Sequence, residues 1–223
     1  MQISALEGHR LWAPLYDSAP NPLLALEGRV LADVLGPVSG RFALDVACGT
    51  GRWTVRLREL GAAALGVDLC TEMLAEAERK PALRGRVAAA NAEHLPLPDC
   101  IADLVLCSFA ASYFESLSSA MREMARITRH GGRVVVTDLH PAAVAAGWTR
   151  SFRAGGLLYE IGHFSPSLDV LRNPGIPGLH LFAQIETCFG EPERAIFRTR
   201  GKEPRFAEVA QIPALWIGIW KKK

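Results

Sequence analysis

The sequence lacks the features that mark membrane-spanning and secreted proteins. No uninterrupted apolar stretch reaches the roughly 18 residues that cross a bilayer. Residues 1–17 hold no basic region followed by a long apolar core, so we expect no signal peptide. The five cysteines are scattered and include no C-x-x-C pair, which argues against a disulfide framework and favours reduced thiols. We therefore predict a cytoplasmic protein without a membrane partner.

A strong charge of either sign is also absent. The 223 residues carry a formal net charge of +2, so no strong attraction to nucleic acid is implied. The residues that come closest to a set of metal ligands are Asp138, His140, His163 and His180. Their spacings match no compact ligand motif, and we predict no metal site.

What the sequence does contain is typical of a globular protein. Hydrophobic residues make up 49% of the chain and charged residues 22%, and the length suits one domain with a substantial core. We predict a single domain over 1–223. Within it we expect an N-terminal cap and helix over 1–40, a ligand-binding core over 41–140, and a second cap with a C-terminal pair of strands over 141–223.

Short apolar runs alternate with helix-like segments along the core. The predicted strands are 42–47, 63–67, 86–90, 101–107 and 133–137, and the predicted helices between them are 51–60, 71–80 and 118–129. Asn21 and Pro22 predict the start of an earlier helix, which ends at Gly36. This alternation predicts an α/β fold with a doubly wound, mostly parallel sheet. The runs 179–189 and 214–220 are candidate antiparallel strands.

The stretch from Phe42 to Asp68 is the most informative part of the sequence. It consists of a strand, the glycine turn Cys48-Gly49-Thr50-Gly51, a helix, a second strand and a terminal acid, a pattern typical of nucleoside-binding sites. A dinucleotide fingerprint needs a third glycine where this chain has Thr54. The carboxylate of Asp45, inside the first strand, suits a cationic or amine-bearing ligand better than a pyrophosphate.

Two segments resemble motifs of one family. L-D-V-A-C-G-T-G, over 44–51, resembles motif I of the class I S-adenosylmethionine (SAM) methyltransferases, with Ala47 in place of the first glycine of E/D-x-G-x-G-x-G. N-A-E-H-L-P-L, over 91–97, resembles the family's D-A-E-x-L-P-F segment. The resemblance implies a Rossmann-like sheet of seven strands ending in an antiparallel hairpin. It also implies SAM as the methyl donor and S-adenosylhomocysteine as the product.

The resemblance further implies where SAM would bind. Asp68 would accept the ribose hydroxyls, and the amide of Asn91 would accept from the adenine amine where the family usually has Asp. Two assignments have structural alternatives, because Met73 also suits the core and Tyr113 also suits packing under a helix. The full set of residues expected to contact SAM is Tyr16, Asp45, Ala47, Gly49, Gly51, Asp68, Leu69, Met73, Asn91, Ala92, Glu93, Ser108 and Tyr113.

Methyl transfer from a sulfonium is an in-line displacement that needs alignment and, for some acceptors, a base. His140, at the end of the fifth strand, and His163 are the candidate bases, because histidine titrates near neutral pH. Either histidine can instead serve only as a structural hydrogen-bonding group. A set of aromatic residues that could form an acceptor pocket is Trp12, Trp148, Phe152, Tyr159 and Phe164.

We therefore expect methyl transfer to an oxygen, nitrogen or carbon atom of a small aromatic or heterocyclic molecule, by a monomer or homodimer. Two alternatives remain at this point, an NAD(P)-dependent oxidoreductase and a non-catalytic SAM-binding module. The oxidoreductase is disfavoured by the absent third glycine. Methylation of RNA is disfavoured by the low charge and by C-S-F-A, over 107–110, where amino-directed methyltransferases have N-P-P-Y.

Overall fold

The computed structural model describes residues 1–18 and 20–223. The strands, numbered along the chain, are β1 (Gln2–Ile3), β2 (Phe42–Val46), β3 (Ala63–Asp68), β4 (Val87–Ala89), β5 (Ala102–Ser108), β6 (Thr128–Leu139), β7 (Ser151–Ala154), β8 (Leu157–Ile161), β9 (Leu179–Thr187) and β10 (Leu215–Lys222). The helices are α1 (Ala5–Trp12), α2 (Pro22–Leu35), α3 (Arg52–Glu59), α4 (Thr71–Glu78), α5 (Leu117–Ile127), α6 (Pro141–Ala145), α7 (Leu168–Arg172), α8 (Glu191–Thr199) and α9 (Glu203–Val209).

The central sheet contains seven strands in the order β4-β3-β2-β5-β6-β10-β9. The first five are parallel to one another, and β10 runs antiparallel to both β6 and β9. Because the strand order reverses at β2, the crevice beside the carboxyl ends of β2 and β5 is the expected ligand-binding edge. The α/β sheet and its C-terminal antiparallel hairpin are confirmed.

The inner strands form because their residues are apolar on both faces, as buried parallel strands require. Leu44 on β2 is paired with Leu65 on β3 and Val105 on β5. One face of the sheet packs against α5 through Met121 and Met124, in one of the two large hydrophobic clusters. The other face packs against α2 and α3 in the second large cluster. The helices therefore cover both faces of the sheet, as doubly wound folds do.

Two parts of the chain are more regular than the sequence predicts. The N-terminal segment contains α1, whose N-cap Ser4 accepts a hydrogen bond from the backbone N–H of Glu7 at 3.3 Å. The predicted cap over 141–178 contains β7 and β8, which form a second sheet in the order β1-β8-β7. The predicted helix 118–129 ends earlier, at Ile127, because β6 begins at Thr128.

The helices of the fold differ from membrane-spanning helices. Over residues 1–18 and 20–223, no helix combines the length and the apolar character needed to cross a bilayer.

Gly218 lies between two tryptophans in the middle of β10. Trp216, Gly218 and Trp220 point to the same face of the strand, and the two indole rings meet edge to face at 5.8 Å. A Cβ atom added at Gly218 would lie 2.5 Å from Cη2 of Trp216 and would overlap the ring of Trp220. Both tryptophans are fully buried, so neither ring has room to move away.

We predict that Gly218→Ala destabilises the fold by about 1–3 kcal/mol, because the added methyl group overpacks a closed part of the core. Urea unfolding followed by circular dichroism measures this change. Gly190→Ala is the matched control, since a Cβ atom there would have its nearest neighbours at an ordinary 3.6 Å. Equal stability of the two variants would show that the Trp216–Trp220 packing has spare room.

Candidate active site

A cavity of about 710 Å³ lies at the carboxyl ends of β2, β3 and β5, under the N-terminal helix α1. Its volume is in the range of about 300–1,000 Å³ that is usual for small-molecule sites. The sequence-predicted residues that line it are Tyr16, Asp45, Ala47, Gly49, Asp68, Leu69, Met73, Asn91, Ala92, Glu93, Ser108, Tyr113 and His163. The structure therefore brings most of the predicted site residues together at one place.

Two predicted residues do not line the cavity, Gly51 and His140. Gly51 has φ +78, and an added Cβ atom would overlap Cδ1 of Leu83. His140 is the N-cap of α6: its Nδ1 accepts from the backbone N–H of Ala142 at 3.0 Å, and its Nε2 donates to Glu186 at 2.9 Å. Both ring nitrogens of His140 are thus engaged in structural hydrogen bonds, which leaves no free lone pair on the ring to accept a proton.

The carboxylate of Asp68 is held by the backbone of two loops. The N–H of Gly49 donates to Oδ2 at 2.7 Å, and the N–H of Cys70 donates to Oδ1 at 2.8 Å. Burial raises the pKa of Asp68, while these two hydrogen bonds lower it. Each carboxylate oxygen has a further lone pair, so Asp68 can still accept hydrogen bonds from a pair of hydroxyl groups.

Asp45 has one carboxylate oxygen without a protein partner. Its Oδ2 accepts from the hydroxyl of Thr54 at 2.6 Å, but Oδ1 is buried and has no partner within the described part of the chain. The residue is 1% exposed, and burial raises its pKa to about 7. Because Asp45 also lines the cavity, the free oxygen is a place for a hydrogen-bond donor or a cation from a ligand.

Strained backbone occurs at two points of the cavity wall. Ala47 has φ +57 and Phe109 has φ +53, in a region that residues with a Cβ atom rarely adopt. Ala47 follows β2, and Phe109 follows β5. Such conformations cost roughly 1–3 kcal/mol each and concentrate at functional sites. The strain at Ala47 also gives a physical reason why the resembled family has glycine at this position.

Glu27 on α2 is the main site element that the sequence did not reveal. Its side chain is wholly buried and forms an ion pair with Arg52 on α3. It accepts from Nε1 of Trp53 at 2.9 Å and from the hydroxyl of Ser108 at 2.7 Å, and Thr137 donates a further hydrogen bond. Glu27 thus fixes the two cavity-lining residues Arg52 and Ser108 in place. Helical periodicity placed its neighbours in the core but carried no signal for a buried acid.

The segment predicted to contact an adenine forms a tight turn. The side-chain oxygen of Asn91 accepts from the N–H of Glu93 at 2.9 Å, and the carboxylate of Glu93 accepts from the N–H of Ser116 at 3.0 Å. Leu69, 56% exposed, lies at the cavity. Met73 both lines the cavity and packs in a small buried cluster, so the two alternatives for this residue coexist.

Most of the predicted aromatic acceptor pocket lies elsewhere. Of its five residues only Phe164 lines the cavity. Trp12 stacks on Phe152 at 5.1 Å, outside the cavity wall, because α1 packs against β7 and β8. Trp148 stacks on Phe189 at 5.5 Å. The aromatic rings that do line the cavity include Tyr16, Phe109, Tyr113, Phe114 and Phe164.

His9 on α1 also lines the cavity, and sequence reasoning missed it. Its ring lies edge to face against Tyr113, with centroids 4.8 Å apart. Behind Tyr113, the guanidinium of Arg150 stacks on the ring at 4.7 Å and forms an ion pair with buried Asp138. The signal for His9 would have been a helix over Ala5–Trp12, a segment that the sequence predicted only as part of an N-terminal cap.

No group of three or more potential metal ligands is found among residues 1–18 and 20–223.

A family model described as a methyltransferase domain matches residues 44–136, from β2 into β6. Malonyl-[acyl-carrier protein] O-methyltransferase of Yersinia pestis is 33% identical over 209 residues, which span 93% of this chain and 70% of that protein. Demethylmenaquinone methyltransferase of Deinococcus radiodurans is 30% identical over 192 residues, spanning 81% and 76% of the two chains.

The fold comparison agrees with these relatives. An S-adenosylmethionine-dependent methyltransferase from Mesorhizobium loti superposes with a TM-score of 0.70 at 23% identity, over 91% of this chain and 100% of that one. At 23% identity, this similarity concerns the fold alone. The two relatives named above are similar to this chain in sequence as well, over most of its length. The oxidoreductase alternative is wrong, since the protein belongs to the class I SAM-dependent methyltransferases.

Proposed function

We propose that this enzyme transfers the methyl group of SAM to an oxygen, nitrogen or carbon atom of a small aromatic or heterocyclic molecule by in-line displacement. One observation carries the proposal: a single cavity combines a nucleoside-type end around Asp68 with an end lined by aromatic rings around Tyr113. A cavity of about 710 Å³ has room for more than one small ligand.

In this proposal the nucleoside end of the cavity holds the adenosine of SAM. Asp68 accepts the ribose hydroxyls with the lone pairs that Gly49 and Cys70 leave free. Asn91 accepts from the adenine amine with the second lone pair of its side-chain oxygen. The apolar and turn residues that complete this end are Leu69, Met73, Ala92 and Glu93.

The middle of the cavity would hold the amino-acid part of SAM. Asp45 offers its unpartnered Oδ1 to the cationic ammonium group, which an ionised carboxylate attracts strongly in a buried site. The hydroxyl of Ser108 and the guanidinium of Arg52 lie on the same wall. SAM supplies an electrophilic methyl group on a sulfonium. The protein's part is to hold the acceptor in line with that group and to exclude water.

The remaining wall would receive the acceptor. Tyr16, Phe109, Tyr113 and Phe164 present rings that bury the faces of a flat molecule well. His163 is part of this wall, and the carbonyl of Ile161 accepts from its Nδ1 at 3.2 Å, which leaves Nε2 for a hydrogen bond to the acceptor.

The names of the two relatives describe different acceptors, an acyl-carrier-bound malonyl group and demethylmenaquinone. The aromatic wall supports a ring acceptor such as a quinol more than an acyl chain. A methyl-transfer screen with isotopically labelled SAM tests this proposal. Its panel should contain phenols, quinols, heterocyclic amines and acyl thioesters. Transfer to ring compounds is the expected result, and transfer confined to acyl thioesters would overturn the ring assignment.

We predict that Asp68→Ala weakens SAM binding by about 100-fold, because it removes two hydrogen bonds from ribose hydroxyls to a charged group. Isothermal titration calorimetry with SAM measures the change. Asp33→Ala, an exposed acid on α2, is the control and should leave the affinity unchanged. Unaltered binding in the Asp68 variant would show that the ribose lies elsewhere.

We also predict that SAM binds more tightly as the pH rises toward about 7. Burial raises the pKa of Asp45 to about 7, so at lower pH the carboxyl is protonated and must lose its proton before it can pair with the ammonium group. The affinity should therefore fall with decreasing pH and level off above about 7.

Calorimetry in buffers of different ionisation enthalpy reports the proton that Asp45 releases on binding. Asp45→Asn removes the titrating group and keeps the hydrogen bond to Thr54 available. This variant should bind SAM more weakly and release no proton between about pH 5.5 and 7. If the variant keeps the wild-type pH dependence, Asp45 does not face the ammonium group.

A further inference from the structure

His9 presents an unprotonated nitrogen to the cavity. Its Nδ1 lies 2.8 Å from the carbonyl oxygen of Ala5, one turn earlier on α1. A carbonyl oxygen only accepts, so Nδ1 carries the ring proton and Nε2 carries the lone pair. Nε2 makes no hydrogen bond in the part of the chain that the structure describes. The geometry of the helix thus sets His9 in the tautomer that a proton acceptor requires.

The ring of His9 is held from a second side. Tyr113 meets it edge to face at 4.8 Å, and Arg150 fixes Tyr113 from behind. Arg150 is anchored in turn by Asp138 and by the carbonyl of Phe109, to which it donates at 2.7 Å. His9 is therefore placed by packed, hydrogen-bonded neighbours, as a group that must meet a proton in a defined position has to be.

His9 lies near groups of both the nucleoside end and the aromatic end of the cavity. Asp68, at the nucleoside end, raises the pKa of His9 by its charge, and Arg150, at the aromatic end, lowers it. In SAM the sulfonium is joined to the ribose through one carbon atom. If Asp68 binds the ribose, the reacting methyl group lies close to His9 and to the acceptor.

Burial has the largest effect on His9 and lowers its pKa, so the imidazole is neutral at physiological pH. Burial raises the pKa of Tyr16 to about 12 and also raises that of Tyr113, so neither phenol is ionised there. Elsewhere α1 contacts Glu72 on α4, which pairs with Arg10, and the non-titrating Phe152 on β7 and Ile161 on β8. Its Leu6 packs with Cys70 and Met73, and burial raises the pKa of the Cys70 thiol, which is therefore not ionised. Among the groups around the ring, His9 is the one suited to take a proton.

We propose that His9 is the general base of this enzyme and that its acceptor is a hydroxyl-bearing aromatic compound, such as a phenol or a quinol. The proposal deepens the proposed function and rests on it. A neutral amine is nucleophilic without a base, and a carboxylate is already ionised. A hydroxyl group is the acceptor for which a neutral imidazole at the reacting centre has a use.

The step balances without an oxidant or a reductant. The acceptor O–H bond breaks, and the proton moves to Nε2 of His9. The electron pair on the acceptor oxygen, or on a ring carbon conjugated with it, forms the bond to the methyl carbon. In the second case the methylated carbon then loses its hydrogen as a proton, and the oxygen regains a proton from water, which restores the aromatic ring. The bond between the methyl carbon and sulfur breaks, and its electron pair stays on sulfur, which becomes the thioether of S-adenosylhomocysteine. The proton on His9 then passes to water.

His163 is the competing base, and the structure favours His9. The Nδ1 of His163 lies 3.2 Å from its backbone acceptor, against 2.8 Å for His9. His163 lies in the connection after β8 and precedes Phe164, which is 62% exposed. A proton acceptor on a capped helix is held more firmly than one in such a connection.

The first test needs no acceptor. NMR titration of the imidazole Cε1 resonances gives the pKa of each histidine in the wild-type protein with SAM bound and with S-adenosylhomocysteine bound. The two ligands differ by one methyl group and one positive charge. We expect the pKa of His9 to be lower with SAM than with S-adenosylhomocysteine, while that of exposed His130 stays the same. Equal values for His9 in the two complexes would overturn its placement at the sulfonium.

The second test uses the acceptor that the labelled-SAM screen identifies. His9→Gln should lower kcat by about 100-fold or more and leave the Kd for SAM within about threefold. In the wild type, kcat should rise with pH through the His9 pKa, and this rise should be lost in the variant.

His130→Gln is the matched control, since the Nδ1 of His130 also lies 2.9 Å from a backbone carbonyl but at the surface. A wild-type rate and pH profile in His9→Gln would overturn the proposal, and so would loss of the pH-dependent rise in His163→Gln instead. Transfer only to amines or carboxylates would overturn the assigned acceptor class. Failure of the wild-type protein to bind SAM would instead contradict the proposed function.

Discussion

One buried carboxylate, that of Glu27, links several of the elements that form and support the cavity wall. Glu27 is out of contact with water, and a buried charge is tolerated only when its lone pairs are all engaged. Its partners come from three elements, α3, β5 and β6, through Arg52, Ser108 and Thr137, and the first two of these residues line the cavity. The helix that supplies it, α2, precedes the part of the chain that the family model matches. The part of the fold that the family model matches thus depends on a side chain from outside the matched residues.

A second buried carboxylate organises the opposite side of the cavity. Asp138 at the end of β6 accepts from the N–H of Ser112 at 2.7 Å and pairs with Arg150. Arg150 also reaches the carbonyl of Phe109, whose positive φ needs such support. Between the two carboxylates the loops after β2 and β5 are fixed by side chains from distant parts of the sequence. The hydrogen bonds and ion pairs of Glu27 and Asp138 therefore explain how strained backbone and partly unsatisfied groups persist in an otherwise well-packed fold.

The sequence predicted the sheet correctly, and most of the residues that it suggested for the methyl donor line one cavity. Apolar runs such as Phe42–Val46 have few alternatives to a buried strand, and the spacing of Gly49 and Asp68 follows from the strand–loop–helix–strand unit itself. The local sequence around His140 could not show whether this residue is a base or a structural group, because its partner Glu186 is 46 residues away on β9. The sequence did not place His9 at the site, because α1 is short and is stabilised by packing on β7 and β8. Those two strands were themselves not predicted.

The lone carboxyl oxygen of Asp45 has a consequence for the charge of the closed site. Burial raises the pKa of this carboxyl to about 7, so it can carry a proton near neutral pH when no ligand is bound. If the ammonium group of the methyl donor pairs with Asp45 as proposed, its entry displaces that proton, and one positive charge replaces another at the same buried oxygen. An uncharged nucleoside would bind more weakly at this site, because it brings no positive charge to favour ionisation of the carboxyl.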